Sequence, residues 1–292
     1  MTGPSAGTAS APGTRTRRAR PPLSGLGRIG LGLLTLNVLL AAAGPYLAPH
    51  AVGEIVARGA FAPASPASLL GGDYLGRDVL SRLLHGARYS LGVAAAATTL
   101  GFLAGLTGGF TAAEIRGRFD LAVTWLLDIL LSFPPILLAL LVIAGLGPAL
   151  PVLVGTIAFI QSARVARVAR AVAMGIAALE FVEVARARGE SLFSVLAREI
   201  LPNAVRPLAV EYGLRLSYAV LFMSSLSFLG LGIQPPEADW GGMVRQNVSG
   251  LYYGAPAAIF PAVLIGLLVL GVNLTVDWLA AGSDRHLSEE LR

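Results

Sequence analysis

Residues 121–163 read LAVTWLLDILLSFPPILLALLVIAGLGPALPVLVGTIAFIQSA, forty-three residues in which Asp128 is the only charge. A transmembrane helix needs about 20 apolar residues to cross a hydrocarbon core of about 30 Å, so this run is too long for one crossing and suits two. Gly145, Gly147, Pro148 and Pro151 place the turn, because clustered glycine and proline interrupt a helix. Outward from this stretch, four further runs have the length and composition of spans: 29–47, the charge-free 89–113, 208–232 with Glu211 and Arg215 near its start, and 259–281 with Asp277 near its end. The pattern predicts an all-α, polytopic membrane protein with six transmembrane helices. Its expected divisions are a basic tail over 1–25, a first helix over 26–47, an extracytoplasmic segment over 48–88, a five-helix core over 89–281, and a second tail over 282–292.

Composition excludes the soluble classes. Hydrophobic residues make up 55% of the 292-residue chain and charged ones 13%, against roughly 45–50% and about 25% in globular proteins. Without cysteine there is no disulfide framework, thiolate metal site or cysteine nucleophile. All 22 basic residues are arginine, so the formal charge of +5 does not titrate away. In a chain this apolar that charge reads as membrane topology, not nucleic-acid affinity. With the N-terminus inside, sixteen arginines fall in cytoplasmic segments and Arg58, Arg77, Arg82, Arg88 and Arg245 fall outside. That asymmetry follows the positive-inside rule and puts both termini in the cytoplasm.

A polytopic helical protein of this size is a transport subunit, an intramembrane enzyme, or an assembly or anchoring protein. His50, His85 and His286 all lie outside the predicted spans, which removes histidine dyads and histidine-ligated metals from the membrane core. No catalytic or metal-binding residue is assigned. Asp128 and Asp277 sit on different helices and leave an aspartyl enzyme open as an alternative. Glu211 and Arg215 have the i,i+4 spacing of a helix-surface ion pair with the acid first. Asp128, about 10 Å in from Leu121, is expected to face other helices or a cavity. These three residues are candidates for packing or a pathway role.

The charged stretch from Arg164 to Arg206 is the most patterned part of the chain. Phe181, Val184, Ala185 and Arg188 share a stripe on one short helix, which Gly189 ends by accepting left-handed dihedrals. Leu192, Leu196 and Ile200 recur every four residues on a second, with Pro202 expected to end it. A helix–turn–helix on the cytoplasmic side follows.

The run Glu183-Val-Ala-Arg-Ala-Arg-Gly189, followed by Leu201-Pro202, resembles the Glu-Ala-Ala loop of ABC importer permeases, with Val184 where the first alanine is usual. Four other segments carry the same resemblance: Leu70-Gly-Gly-Asp-Tyr-Leu-Gly-Arg-Asp-Val-Leu-Ser-Arg82 with Gly86-Ala-Arg-Tyr-Ser90, Phe119-Asp120 with Asp128 to Pro135, Leu226-Ser-Phe-Leu-Gly-Leu-Gly232, and Gln234-Pro-Pro236 with Trp240-Gly-Gly-Met243. In this order and at these places they resemble the second permease subunit of peptide importers over roughly residues 23–281.

The resemblance implies a type I ABC importer fold in a bacterial inner membrane, paired with a second permease, two ABC ATPases and an extracytoplasmic solute-binding protein. It implies that loop 180–203 couples to the ATPases, with Glu183 for charge or capping contacts, Ala185 and Ala187 for close approach, Gly189 for the turn, and Leu201 and Pro202 for the departure from the loop. ATP and magnesium would bind the partner ATPases. This chain has no lysine, so it cannot form a phosphate-binding Gly-x-x-x-x-Gly-Lys-Ser/Thr loop. Dipeptides, longer peptides, nickel complexes and glutathione all remain open as cargo, and a passive channel remains a further alternative.

Overall fold

Uninterrupted apolar runs leave the backbone no partner but itself in a lipid core, so the chain resolves into helices. The computed structural model describes residues 25–290, with backbone only for 282–290. The basic tail over 1–24 lies outside the described residues. In chain order come α1 (Gly25–Leu47), α2 (Val79–Ile115), α3 (Gly117–Ser132), α4 (Pro135–Leu146), α5 (Leu150–Ala177), α6 (Glu180–Ala187), α7 (Leu192–Ser194), α8 (Leu201–Phe228), α9 (Trp240–Asn247) and α10 (Ile259–Glu290). A π-helical stretch, Val195–Ile200, joins α7 to α8 without a break.

The tightest seam is between α2 and α5, and glycine makes it. A Cβ on Gly101 or Gly105 would fall 2.6 Å from the carbonyl oxygen of Ala158 or Ser162, and one on Gly109 would be closer still to that of Ala166. Small residues at i, i+4 and i+8 let the backbones touch, the usual route to close association where lipid supplies no hydrophobic drive. α1 meets α10 in the same way, through Gly27 and Gly30 against Trp278 and Leu274. The main core gathers Leu83, Leu91, Ile143, Ile157, Met223, Trp240 and Leu268.

By length and apolar composition four described helices can cross a membrane, α1, α2, α5 and α10, or five if α3 and α4 form one bent span. The sixth expected span lies in α8. That helix is long enough at 28 residues, but it carries Glu211 and Arg215 and falls outside this set.

Several boundaries differ from the sequence reading. The turn at Gly147 is where it was expected, with φ +87°. The run before it is not one straight helix, however. Pro134 and Pro135 split it, and α3 and α4 meet at 86°, because Pro135 can open a helix but cannot continue one. α2 begins at Val79, ten residues before Tyr89, where the Asp78 carboxylate accepts the Ser81 amide at 2.9 Å and caps the first turn. α5 does not stop at Ala163. It runs on through Arg164, Arg167 and Arg170 to Ala177, since α3 supplies carboxylates to two of them: Asp128 to Arg167 and Asp120 to Arg170.

Candidate functional site

Loop 178–202 packs on one end of the bundle. Glu180 and Glu183 lie in the first turn of α6 and Arg186 in its last, an order that suits the helix dipole. Val182 and Ala185 are fully buried against Phe110 and Ala113 of α2, Ala173 and Ala177 of α5, Val195 and Ile200 of the π-helical stretch, and Ala204 and Leu208 of α8. Phe181, Val184, Leu192 and Phe193 turn outward, Phe193 with 80% of its surface exposed.

Of the expected stripe only Ala185 is buried. The buried stripe is Val182–Ala185, an i,i+3 pair, while Phe181 and Val184 stay exposed, and Ala185 approaches its own bundle. Ala187 and Glu183 are exposed, as are Leu201 and Pro202. The four-residue recurrence of Leu192, Leu196 and Ile200 holds in part, with Leu196 and Ile200 packed on the cluster and Leu192 exposed. The wider π turn aligns residues five apart, so Val195 and Ile200 are buried and Leu192 is not. Pro202 does not end a helix. It sits in the first turn of α8, directly after the π-helical stretch, and the helical path continues through it.

The turn after α6 is closed by two backbone hydrogen bonds. The Gly189 N–H donates to Arg186 O at 2.9 Å, and the Glu190 N–H donates to Ala185 O at 3.3 Å. This is a Schellman cap, and it requires the left-handed residue that Gly189 supplies at φ +76°. Beyond it, Glu190 accepts from the Ser194 hydroxyl at 2.8 Å and from Arg188 Nη2 at 2.7 Å. The Ser194 and Arg188 bonds hold its carboxyl below the usual glutamate range.

One guanidinium fastens the loop to the bundle. Arg186 donates from Nε and Nη2 to the two Glu114 oxygens of α2, at 2.8 and 2.6 Å, and from Nη1 to Ala177 O of α5 at 3.2 Å. The Glu114 hydrogen bonds raise the Arg186 pKa further above its ordinary value. Neither residue stands out in sequence, because seventy-two positions separate them. Of the other candidates, Arg215 Nε donates to the buried Glu211 at 2.6 Å, the predicted i,i+4 pair. Asp128 is more than half exposed and takes Arg167 Nη2 at 2.5 Å. Neither Asp128 nor the exposed Asp277 lies in a buried acid pair, and among the described residues no three acids and histidines gather as a metal site.

The opposite end carries a second polar construction. Asp73 is fully buried and receives Arg77 Nε at 2.7 Å and Arg82 Nη1 at 2.5 Å. Both arginines also reach Gln246 of α9, at 3.3 and 3.0 Å. Trp240 is buried beside them, its indole N–H donating to Leu83 O at 3.0 Å. The Gly-Arg-Asp segment is thus the interior of a folded cap and not a surface turn. Its legible traces are the Asp73/Arg77 spacing of four and the Asp78/Ser81 helix cap. At the start of α9, Asp239 accepts the Gly242 amide at 3.0 Å, and burial pushes its carboxyl above the usual range.

Residues 97–289 match the family model described as "Binding-protein-dependent transport system inner membrane component". The chain is similar to a protein of Brucella suis biovar 1 named as a peptide transport system permease, with 36% identity over 266 residues, 90% of this chain and 88% of that one. It is similar to a glutathione transport system permease of Pectobacterium atrosepticum, 36% identical over 223 residues, 76% of this chain and 74% of the other. A di/tripeptide transport system permease of Pseudomonas aeruginosa is 34% identical over 264 residues, 88% and 87% of the two chains. Among solved structures, an amino acid ABC transporter superposes with a TM-score of 0.50 over 67% of this chain and 90% of the other, at 21% identity, a likeness of fold.

Proposed function

The chain belongs to the family of inner-membrane components of binding-protein-dependent transport systems, and on that premise we propose that it is one permease of an ATP-driven peptide importer. It is a multi-pass membrane protein and a transport component. In this reading it forms the translocation path with a second permease, receives cargo from an extracytoplasmic solute-binding protein, and is driven by two ABC ATPases that bind ATP and magnesium. Both termini and the loop face the cytoplasm, as the distribution of arginine suggests. The relatives named for peptide and di/tripeptide transport favour peptide cargo. Glutathione, itself a small peptide, is the second reading, favoured by the Pectobacterium relative.

The observation that carries the coupling role is the build of loop 180–203. A docking element must be stiff, fixed to the helices that move, and apolar outward. Here Gly189 fixes the angle between α6 and the π-helical stretch, while Arg186 ties α6 to α2 and α5. The outward face offers Phe181, Val184 and Phe193, with Glu183 beside them. A groove on an ATPase holding those side chains would move the loop as one body, and α2, α5 and α8 with it.

The test is reconstitution with a second permease, paired ATPases and a binding protein, comparing wild type with Gly189→Pro. Proline cannot adopt φ +76° and removes the N–H bonded to Arg186. ATP-driven peptide uptake should fall to background while the four transmembrane and ATPase subunits still co-purify. Uptake indifferent to Gly189→Pro would end the coupling assignment, and a wild-type complex that moves no peptide would end the peptide reading.

A further inference from the structure

Among the guanidiniums on the helices, Arg82 has Asp73, Arg167 has Asp128, Arg170 has Asp120, Arg186 has Glu114 and Arg215 has Glu211. Arg164 has none among the described residues. Its guanidinium lies over the Tyr218 ring of α8, 4.8 Å from the centroid. Arg164 also lines a small hollow with Leu130 and Leu131 of α3, Phe133 of the α3–α4 elbow, Leu138 of α4, and Ile160 and Ala163 of its own helix.

Arg164 is the first charge in α5, fourteen residues or about 20 Å from its start and at the end of the apolar stretch 150–163. The aromatic face holds the cation and, as a neutral acceptor, leaves the planar N–H fork free to take an anion. The side chain is only half-buried in this chain, so part of it lies outside the chain's own packing.

We infer that Arg164 is a substrate-binding residue that takes the carboxylate of the cargo as it passes the α3–α4 elbow. The inference rests on the permease reading above. A guanidinium fork matches a carboxylate with two parallel N–H···O bonds, and every peptide with a free C-terminus carries one. Tyr218, itself stacked on Phe222 with ring centroids 5.5 Å apart, holds the fork from behind. Arg164 therefore selects for an anionic terminus, separately from any selection by the binding protein.

The reconstituted complex tests this with a dipeptide and its C-terminal amide, taking for each the ratio of variant to wild-type uptake so that binding-protein preference cancels. Arg164→Gln should lower uptake of the acid about tenfold at subsaturating substrate, the loss of one charged hydrogen-bonded contact. It should leave the amide within a factor of two, and leave assembly and substrate-free ATPase unchanged. Because the chain has no cysteine, Arg164→Cys adds one thiol to it. Aminoethyl methanethiosulfonate should restore acid uptake there, and the sulfonatoethyl reagent should not, with the unsubstituted complex as control.

Equal losses for acid and amide, or altered substrate-free ATPase, would make Arg164 a counter-ion for the partner permease and overturn the inference. So would uptake indifferent to the substitution, or reagents of opposite charge acting alike. In all these cases the wild-type complex still imports peptide and the permease reading stands; a wild type without uptake would remove both.

Discussion

Gly105 and Gly108 lie three residues apart on α2 and should respond to the same substitution with opposite signs. A Cβ at Gly105 meets the Ser162 carbonyl oxygen at 2.6 Å, Val165 Cβ at 2.6 Å and Val165 Cγ1 at 2.8 Å, whereas one at Gly108 meets nothing within 4 Å. Carbon atoms pack at about 3.5–4.0 Å, so Gly105→Ala is short by about 1 Å. Because carbonyl and Val165 both belong to α5, only parting the two helices makes room. Overpacking of this kind costs about 1–3 kcal/mol, while removing glycine from a helix interior returns about 0.5–1 kcal/mol. Gly108→Ala receives the second effect alone. The two variants should therefore differ by about 1–3 kcal/mol, or several degrees in unfolding midpoint at about 2–4 °C per kcal/mol for a domain of this size. Fluorescence-detected gel filtration of the heated, detergent-solubilised protein reads the difference. If both alanines shift the midpoint equally and in the same direction, α2 and α5 do not meet backbone to backbone, and the packing described above is wrong.

Two further outcomes follow from the polar contacts. Arg186→Ala and Glu114→Ala should couple by about 1–2 kcal/mol in a double-mutant cycle on stability, since the pair is bidentate and Glu114 is mostly buried, with Arg186 partly exposed to solvent; additive effects would show that α6 is not fastened through this guanidinium. For Asp239, Asp239→Ala should cost about 0.5–2 kcal/mol through the lost cap, and Asp239→Asn should cost little. Its native pKa is raised, so the folded state holds the proton longer than the unfolded one, and stability falls as pH rises through the native value. Melting curves across pH should lose that fall in Asp239→Asn; a fall of the same size in the variant would assign it to another group.

The spans were legible wherever periodicity could be ignored, because a lipid-facing helix needs only length and greasiness. α1, α10 and the turn at Gly147 follow from composition alone. What misled was charge. Arg164, Arg167 and Arg170 look like the start of a polar loop until Asp120 and Asp128, some forty to fifty residues earlier, are seen beside two of them. The early start of α2 was hidden for the same reason, since Arg82 reads as exposed unless Asp73 is known to receive it. The loop over 180–203 carries a resemblance in its residues, but its faces were not legible. Short helices have few turns to average over, and a π-helical stretch shifts the recurrence from four to five. Glu114 and Arg186 had no local signal at all, because the contact depends on where two helices end.

α2 runs 37 residues without a break or a proline, about 55 Å at 1.5 Å per residue. Near its first turn Arg82 is locked into the Asp73–Gln246 cluster, and Glu114 in its last turn grips Arg186. Such a rod works as a lever: a tilt of about 5° pivoting at one end sweeps the other through about 5 Å. With no hinge between them, a displacement at the cap arrives undiminished at the loop, and a displacement of the loop arrives at the cap.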